Sequence, residues 1–260
     1  MARPAPARPT SRSSTSGVFD REEEQAAIRR RLERRRSFLL HGPAGAGKTL
    51  LLARVLPEVP GVLYCRESKS AREVFCTLAE ELVKVNDARA VASLGKTPAA
   101  PHSKSAAALK GIVVEALKGA SYQVVLDHLG RTSQSFASAI KEVTGWAATP
   151  VVAVARSCHM EDVGHLLSLY PDRSEKMELP NFDVATALAF AQTSAAERGL
   201  AAENMTEFLD RVVELSRGNP GAILALVELA KQPKYRSEGR VKVSPLYIDF
   251  RLRWDAASHG

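Results

Sequence analysis

The chain has 260 residues, 45% hydrophobic and 25% charged, with a formal net charge of +7. That apolar content buries a core for one large domain, or one plus a small satellite, and excludes a disordered protein. No apolar run approaches the roughly 18 residues of a membrane span and no secretory leader opens the chain, so a cytoplasmic protein without membrane contact is expected.

Residues 1–17 carry three Arg, no acid and almost no large apolar residue. Such a stretch cannot offset the entropy of ordering, so a disordered basic tail is expected; the same composition resembles an organelle transit peptide. Residues 231–260 carry seven Lys and Arg against three acids. The positive charge therefore sits in the tails, and the body between them is balanced. Asp20 is the expected N-cap of a first helix, with Glu22, Glu23 and Glu24 at its positive end. Ile28 and Leu32 give that helix a narrow apolar stripe. The arginines at 29, 30, 31, 34, 35 and 36 read as a solvated face, with an anionic partner as the alternative.

Residues 37–50 read SFLLHGPAGAGKTL, an apolar strand entering G-x-x-x-x-G-K-T. This is a phosphate-gripping loop. Gly42, Gly45 and Gly47, interleaved with Pro43, Ala44 and Ala46, let the backbone turn tightly enough for successive N–H groups to form an anion nest ahead of a helix. Lys48 is expected to reach the β- and γ-phosphates. The Thr49 hydroxyl is a hard-oxygen ligand for Mg²⁺, and Leu50 carries the pattern into a helix with Leu51, Leu52 and Val55.

Downstream, a buried strand at 61–65 leads to a helix over about 70–85, then to a polar, Pro- and Gly-bearing loop over 86–104 that reads as mobile. A helix over 105–118, a strand over 122–127, a helix over 134–146 and a strand over 150–155 follow. This alternation predicts a parallel sheet covered on both faces. Asp127 closes its strand and is the second magnesium anchor, on a strand expected beside the first. His128 follows where many hydrolysing proteins carry Glu, so hydrolysis is slow or draws its base from His128 or elsewhere. Arg156 ends the next strand and is placed to sense the γ-phosphate. After a short strand at 176–179, helical patterns run over 184–198, 203–217 and 221–231. The three cysteines, Cys65, Cys76 and Cys158, fit neither a disulfide framework nor a zinc spacing.

In this order the motifs resemble the AAA+ and STAND branch of P-loop ATPases, nearest to small prokaryotic and origin-recognition-like members. Phe19-Asp20-Arg21-Glu22-Glu23-Glu24 is similar to the segment that contributes to the adenine pocket, with Asp20 in place of the usual Gly. Gly42 to Thr49 is similar to Walker A and Val124 to Asp127 to Walker B, while Arg156 is similar to a sensor-one arginine. Gly218-Asn219-Pro220 resembles the G-x-P segment in which Pro220 would lie near the base or sugar. The resemblance implies an α/β P-loop NTPase with a parallel sheet between helices, followed by a small all-helical lid. It implies ATP and Mg²⁺ as ligands and catalytic roles for Lys48, Asp127, His128 and Arg156. Arg173 is either an arginine finger acting on a neighbouring subunit or a solvated loop residue.

The expected domains are a tail over 1–17, a nucleotide-binding domain over 18–180, a helical lid over 181–232 and a basic extension over 233–260. The favoured function is a weak Mg²⁺-dependent ATPase acting as a nucleotide-controlled switch on a protein partner or on a second copy of itself. One alternative is a DNA-associated AAA+ ATPase, a replication or transposition helper, whose basic C-terminal segment binds phosphates; the apolar residues of that segment equally suit packing on the body. The other is a P-loop kinase for a small substrate, against which the helical C-terminal third argues.

Overall fold

The computed structural model describes residues 19–95 and 101–259; the expected disordered tail over 1–17 lies outside them. Two compact units are present. The first takes in the chain up to His41 together with Lys48–Glu178, and the second takes in Gly42–Gly47 together with Leu179 onward.

The first unit is a five-stranded parallel sheet in the order β2-β3-β4-β1-β5, with β1 Phe38–His41, β2 Val62–Cys65, β3 Gln123–Leu126, β4 Val151–Ala155 and β5 Lys176–Glu178. All four residues of β1 and of β3, and all five of β4, are buried. Apolar side chains on both faces are what a sheet flanked by helices requires. The helices are α1 Glu22–Glu33, α2 Lys48–Val55, α3 Ala71–Lys84, α4 Ala88–Leu94, α5 Ala106–Leu117, α6 Gln134–Trp146 and the single turn α7 Met160–Val163. α3, α5 and α6 each start at a serine, Ser70, Ser105 and Ser133, whose side chain accepts an N–H of the first turn. Val74, Leu78, Leu82, Val113, Leu117 and Ile140 pack one continuous core with the strands.

Three expectations need correction. The strand carrying Asp127 does not lie beside β1: β4 intervenes, pairing Ala153 with Leu39 on one side and Val152 with Val125 on the other. Crossover helices free parallel strands from chain order, so β2 and β3 are laid outward and β4 returns to fill the place next to β1. The loop expected over 86–104 contains α4, capped by Asp87, whose carboxylate accepts the N–H groups of Arg89 and Ala90 at 3.1 and 3.0 Å. Asp20 is not the N-cap of α1. It has a φ of 47°, and Arg21 holds the N-cap position without a side-chain cap.

The second unit is mostly helical: α8 Val184–Glu197, α9 Met205–Ser216, α10 Pro220–Ala230 and α11 Val243–His259. The elements of the expected lid over 181–232 are all helices, α8, α9 and α10, and β6 Arg236–Ser237 and β7 Arg240–Val241 form a hairpin in the expected extension beyond it. Tyr235, Val241, Leu246 and Phe250 are buried, so these apolar residues of the basic C-terminal segment pack within this unit, whereas Ile248 and Leu252 are exposed. Two of its cations are paired in the unit: Lys234 with Asp249 at 2.6 Å and Arg240 with Glu207 at 3.3 Å. Among the described residues no helix is long and apolar enough to cross a membrane.

Candidate functional site

In the first unit, Lys48 and Thr49 open α2, and Asp127 follows β3 at the carboxyl edge of the sheet. Ligands bind at that edge in open α/β sheets. Asp127 is buried and both of its carboxylate oxygens accept hydrogen bonds. The Thr49 hydroxyl donates to Oδ2 at 2.8 Å, the Tyr64 hydroxyl donates to the same oxygen at 2.7 Å, and the His128 backbone N–H donates to Oδ1 at 2.7 Å. Three donors compensate the desolvation of a buried carboxylate. They also hold two hard oxygens, Thr49 Oγ1 and Asp127 Oδ2, at about the edge length of a magnesium octahedron with metal–oxygen distances of roughly 2.1 Å. The donor set fits Mg²⁺.

Tyr64 is the residue that sequence reasoning passed over. It sits on β2, a half-buried position in a strand read only as apolar. Burial and the neighbouring Asp127 push its phenol well above the ordinary range, which keeps the hydroxyl protonated as a donor. The one sequence-level signal is that a tyrosine near the end of a buried parallel strand needs a partner for its hydroxyl.

His128 has a left-handed φ of 50°, and its ring lies exposed. Left-handed non-glycine residues cost on the order of 1–3 kcal/mol and gather at functional sites. Its Nδ1 lies 3.1 Å from the Arg66 carbonyl oxygen, which only accepts, so Nδ1 is the donor there and Nε2 is the ring nitrogen turned away from that bond. A neutral histidine in that tautomer has the form of a general base. Arg156 follows β4 and is exposed, close enough to Lys48 to act on its charge.

Lys48 is held well below its ordinary value of 10.5, at about 8, because burial removes water from its ammonium; Arg156 lowers it further, while Asp127 and Asp162 act in the opposite sense. Asp162, on α7, carries no sequence motif. The consequence for pH is direct. Between about 8 and 10.5 the unfolded chain holds a proton on Lys48 that the folded chain has lost, so the contribution of Lys48 to stability rises with pH across that window, against the opposite contributions of the buried Cys65 and Tyr170 and the half-buried Tyr64. A phosphate-binding role for Lys48 would need the charged form, and it predicts that Mg·ATP affinity falls as pH rises through about 8, with proton uptake on binding. Calorimetric titration in two buffers of different ionisation enthalpy measures that uptake, which a Lys48→Met chain should lack.

In the second unit, the glycine loop Gly42–Gly47 belongs with the helical segment. Gly42, at φ +156°, has no room for a side chain, since a Cβ there would lie 2.2 Å from the Leu179 carbonyl oxygen. Asn219 caps α10 through its Oδ1, which accepts the Ala222 N–H at 3.0 Å, and its Nδ2 donates to the Ala44 carbonyl at 2.8 Å and to Asn181 Oδ1 at 3.0 Å. The Gly221 N–H donates to the Gly45 carbonyl at 3.0 Å, and the Trp254 ring lies against Gly45. Pro220, the first residue of α10, is buried between these two contacts in sequence.

The remaining expected residues sit as follows. Phe19 is half-buried; Arg21 is buried and pairs with Glu24 at 2.5 Å. Pro43 is exposed, Ala46 is buried, and Gly47 has a φ of 96° in open space. Leu50 is exposed, as is Arg173 at the start of the 3₁₀ turn before β5. Of the arginine-rich face, Arg29 pairs with Glu58 at 2.5 Å, Arg31 lies over Phe38, and Arg35 donates to the Tyr122 carbonyl.

By sequence, no protein family and no curated protein matches the chain. By structure it is similar to the Walker-type ATPase of Pyrococcus abyssi at TM-score 0.58 and 16% identity, over 92% of this chain and 74% of that one. It is similar to the Aeropyrum pernix Orc1 protein, solved in complex with DNA, at TM-score 0.58 and 19% identity, over 91% and 66%. A third likeness is to a Pyrococcus horikoshii STAND protein with a tetratricopeptide repeat sensor, at TM-score 0.54 and 13% identity, over 96% of this chain and 33% of that one. The chain thus spans about two thirds of Orc1 and a third of the STAND protein. It shares with them a P-loop NTPase α/β fold followed by a mostly helical part.

Proposed function

We propose that this protein binds ATP with Mg²⁺, hydrolyses it slowly and uses the bound nucleotide to switch a surface read by a macromolecular partner. The observation that carries the reading is the pair Thr49 Oγ1 and Asp127 Oδ2 at 2.8 Å, one residue from Lys48. In that reading Thr49 and Asp127 hold the metal, which neutralises charge between the phosphates. Lys48 binds the β- and γ-phosphates, Arg156 senses the γ-phosphate, and the loop from Gly42 to Leu50 cradles the chain of phosphates. Phe19, Arg21 and Pro220 serve the nucleoside. Slow hydrolysis follows from the absence of an acid after Asp127; the exposed His128 imidazole, anchored through Nδ1 to the Arg66 carbonyl, is the base at hand in its neutral form.

The switching role is supported by the bonds of the glycine loop to Asn219 and Gly221. A loop that gathers phosphate with its N–H groups while its carbonyls are tied to α10 transmits occupancy to the helical unit. Likeness to Orc1, solved with DNA, and the exposed Lys242, Arg251 and Arg253 favour a second reading in which the partner is DNA.

The test is ATP binding and turnover by the full chain, with and without Mg²⁺, with and without duplex DNA, over a range of protein concentrations. Magnesium-dependent binding with turnover below about one per second is expected. Absence of ATP binding at millimolar nucleotide overturns the reading. Stimulation by DNA that collapses with added salt selects the DNA partner, and turnover that rises with protein concentration selects a second copy.

A further inference from the structure

A second cluster of chemically capable side chains lies in the first unit, on α3 and the 3₁₀ turn Pro101–Ser103. Cys76 and Glu80 are one helical turn apart on α3, and His102 closes on them from the turn. Cys76 Sγ lies 3.5 Å from His102 Nδ1 and 3.6 Å from Glu80 Oε1, and His102 Nε2 lies 2.9 Å from the same carboxylate oxygen. One ligand atom from each residue falls within 4.8 Å of the others.

Those spacings have a physical meaning. A tetrahedral zinc ion with Zn–S of about 2.3 Å and Zn–N or Zn–O of about 2.0 Å places sulfur about 3.5 Å from each other ligand. The two sulfur distances match that edge with His102 Nδ1 as the ligating nitrogen; the contact of Nε2 with Glu80 at 2.9 Å is an ion pair that a metal held by Nδ1 and the carboxylate would displace. The same distances are ordinary for S–H···N and S–H···O hydrogen bonds, which hold the trio together without a metal; a cation that replaces the weakly donating thiol proton would use the same spacings. The turn is also fixed in place. Pro101 is buried, and Arg72 on α3 donates to the His102 carbonyl at 3.1 Å. The imidazole remains 66% exposed, which leaves a route for a metal.

From this arrangement we infer that Cys76, Glu80 and His102 form a binding site for a thiophilic divalent cation of the zinc type, separate from the nucleotide site. The thiolate selects against magnesium and calcium, which take oxygen ligands. The bound ion would pin the Pro101–Ser103 turn to α3. The spacing of the cysteines along the chain gives no sign of this site, because the ligands come from one cysteine, a glutamate four residues on, and a histidine across a connection.

The test uses the full untagged chain, stripped with chelator and titrated with Co²⁺. Expected are one equivalent bound, a near-ultraviolet sulfur-to-cobalt charge-transfer band, visible bands of a tetrahedral site, and displacement by one equivalent of Zn²⁺. His102→Ala removes an exposed ring and leaves the core intact; it should weaken binding at least tenfold, with unchanged circular dichroism. Cys76→Ser should abolish the charge-transfer band. Absence of binding overturns the proposal, and so does a band that survives in Cys76→Ser or an affinity unchanged in His102→Ala. ATP binding is measured in parallel and is expected to persist in both variants, so failure here and failure of the nucleotide reading are distinguishable.

Discussion

Replacing Lys48 with Ala is expected to weaken Mg·ATP binding by at least about 100-fold, measured by calorimetry or by displacement of a fluorescent nucleotide. A charge-assisted hydrogen bond contributes about 1.5–3 kcal/mol, and Lys48 can give more than one to phosphate oxygens. Its ammonium is already stripped of much of its water, as its fall to about 8 records, so the phosphates meet a cation that has little hydration left to lose. The same observation predicts an opposite effect on the nucleotide-free protein. A charge that burial disfavours costs folding stability at neutral pH, and Lys48→Met, which keeps the apolar stem, should melt at or above the temperature of the parent. Weaker ATP binding with undiminished stability separates a ligand-binding role from a structural one. Undiminished ATP binding in either variant removes the phosphate role of the loop.

Much of the fold was legible because the local signals were strong. The strand ending at His41, the glycine turn and the helix beginning at Lys48 follow from one motif, and α6 lies within the bounds that its apolar spacing predicts. What was missed depends on distant pairing or on weak turn chemistry. The place of β4 between β1 and β3 is written in no local pattern, since crossovers of similar length permit several strand orders. α4 was hidden by Gly95, Pro98 and Pro101 that follow it, although Asp87 marked its start. The β6–β7 hairpin turns at Glu238 and Gly239, with φ of 50° and 73°, and glutamate is an uncommon first residue for a turn that needs positive φ twice. At the site, residue types and spacing pointed to Lys48, Thr49 and Asp127. Tyr64 and Asp162 needed the tertiary structure, because each acts on that trio from an element with no motif of its own.

Asp127→Asn is the change with the largest expected effect on turnover: a loss of at least about 100-fold, with ATP binding kept within about tenfold. The two side chains have nearly the same shape, so the consequence is chemical. Asp127 accepts from Thr49, Tyr64 and the His128 N–H, and only a carboxylate has acceptors on both oxygens for three donors. An asparagine amide would turn a donor toward at least one of them, leaving a buried donor unsatisfied at a cost of about 1–3 kcal/mol. It would also withdraw the negative charge that supports the Lys48 ammonium. The pH at which ATP affinity begins to fall should therefore move below about 8 in the variant. Three readouts follow from one substitution: turnover lost, magnesium dependence of binding flattened, and the pH profile shifted to lower values. Turnover at the parental rate, or a pH profile that stays in place, would separate Asp127 from both the metal and Lys48. Tyr64→Phe deletes one of the three donors without touching the carboxylate, so a smaller loss there would assign the hydroxyl to holding Asp127 in position rather than to the reacting phosphates.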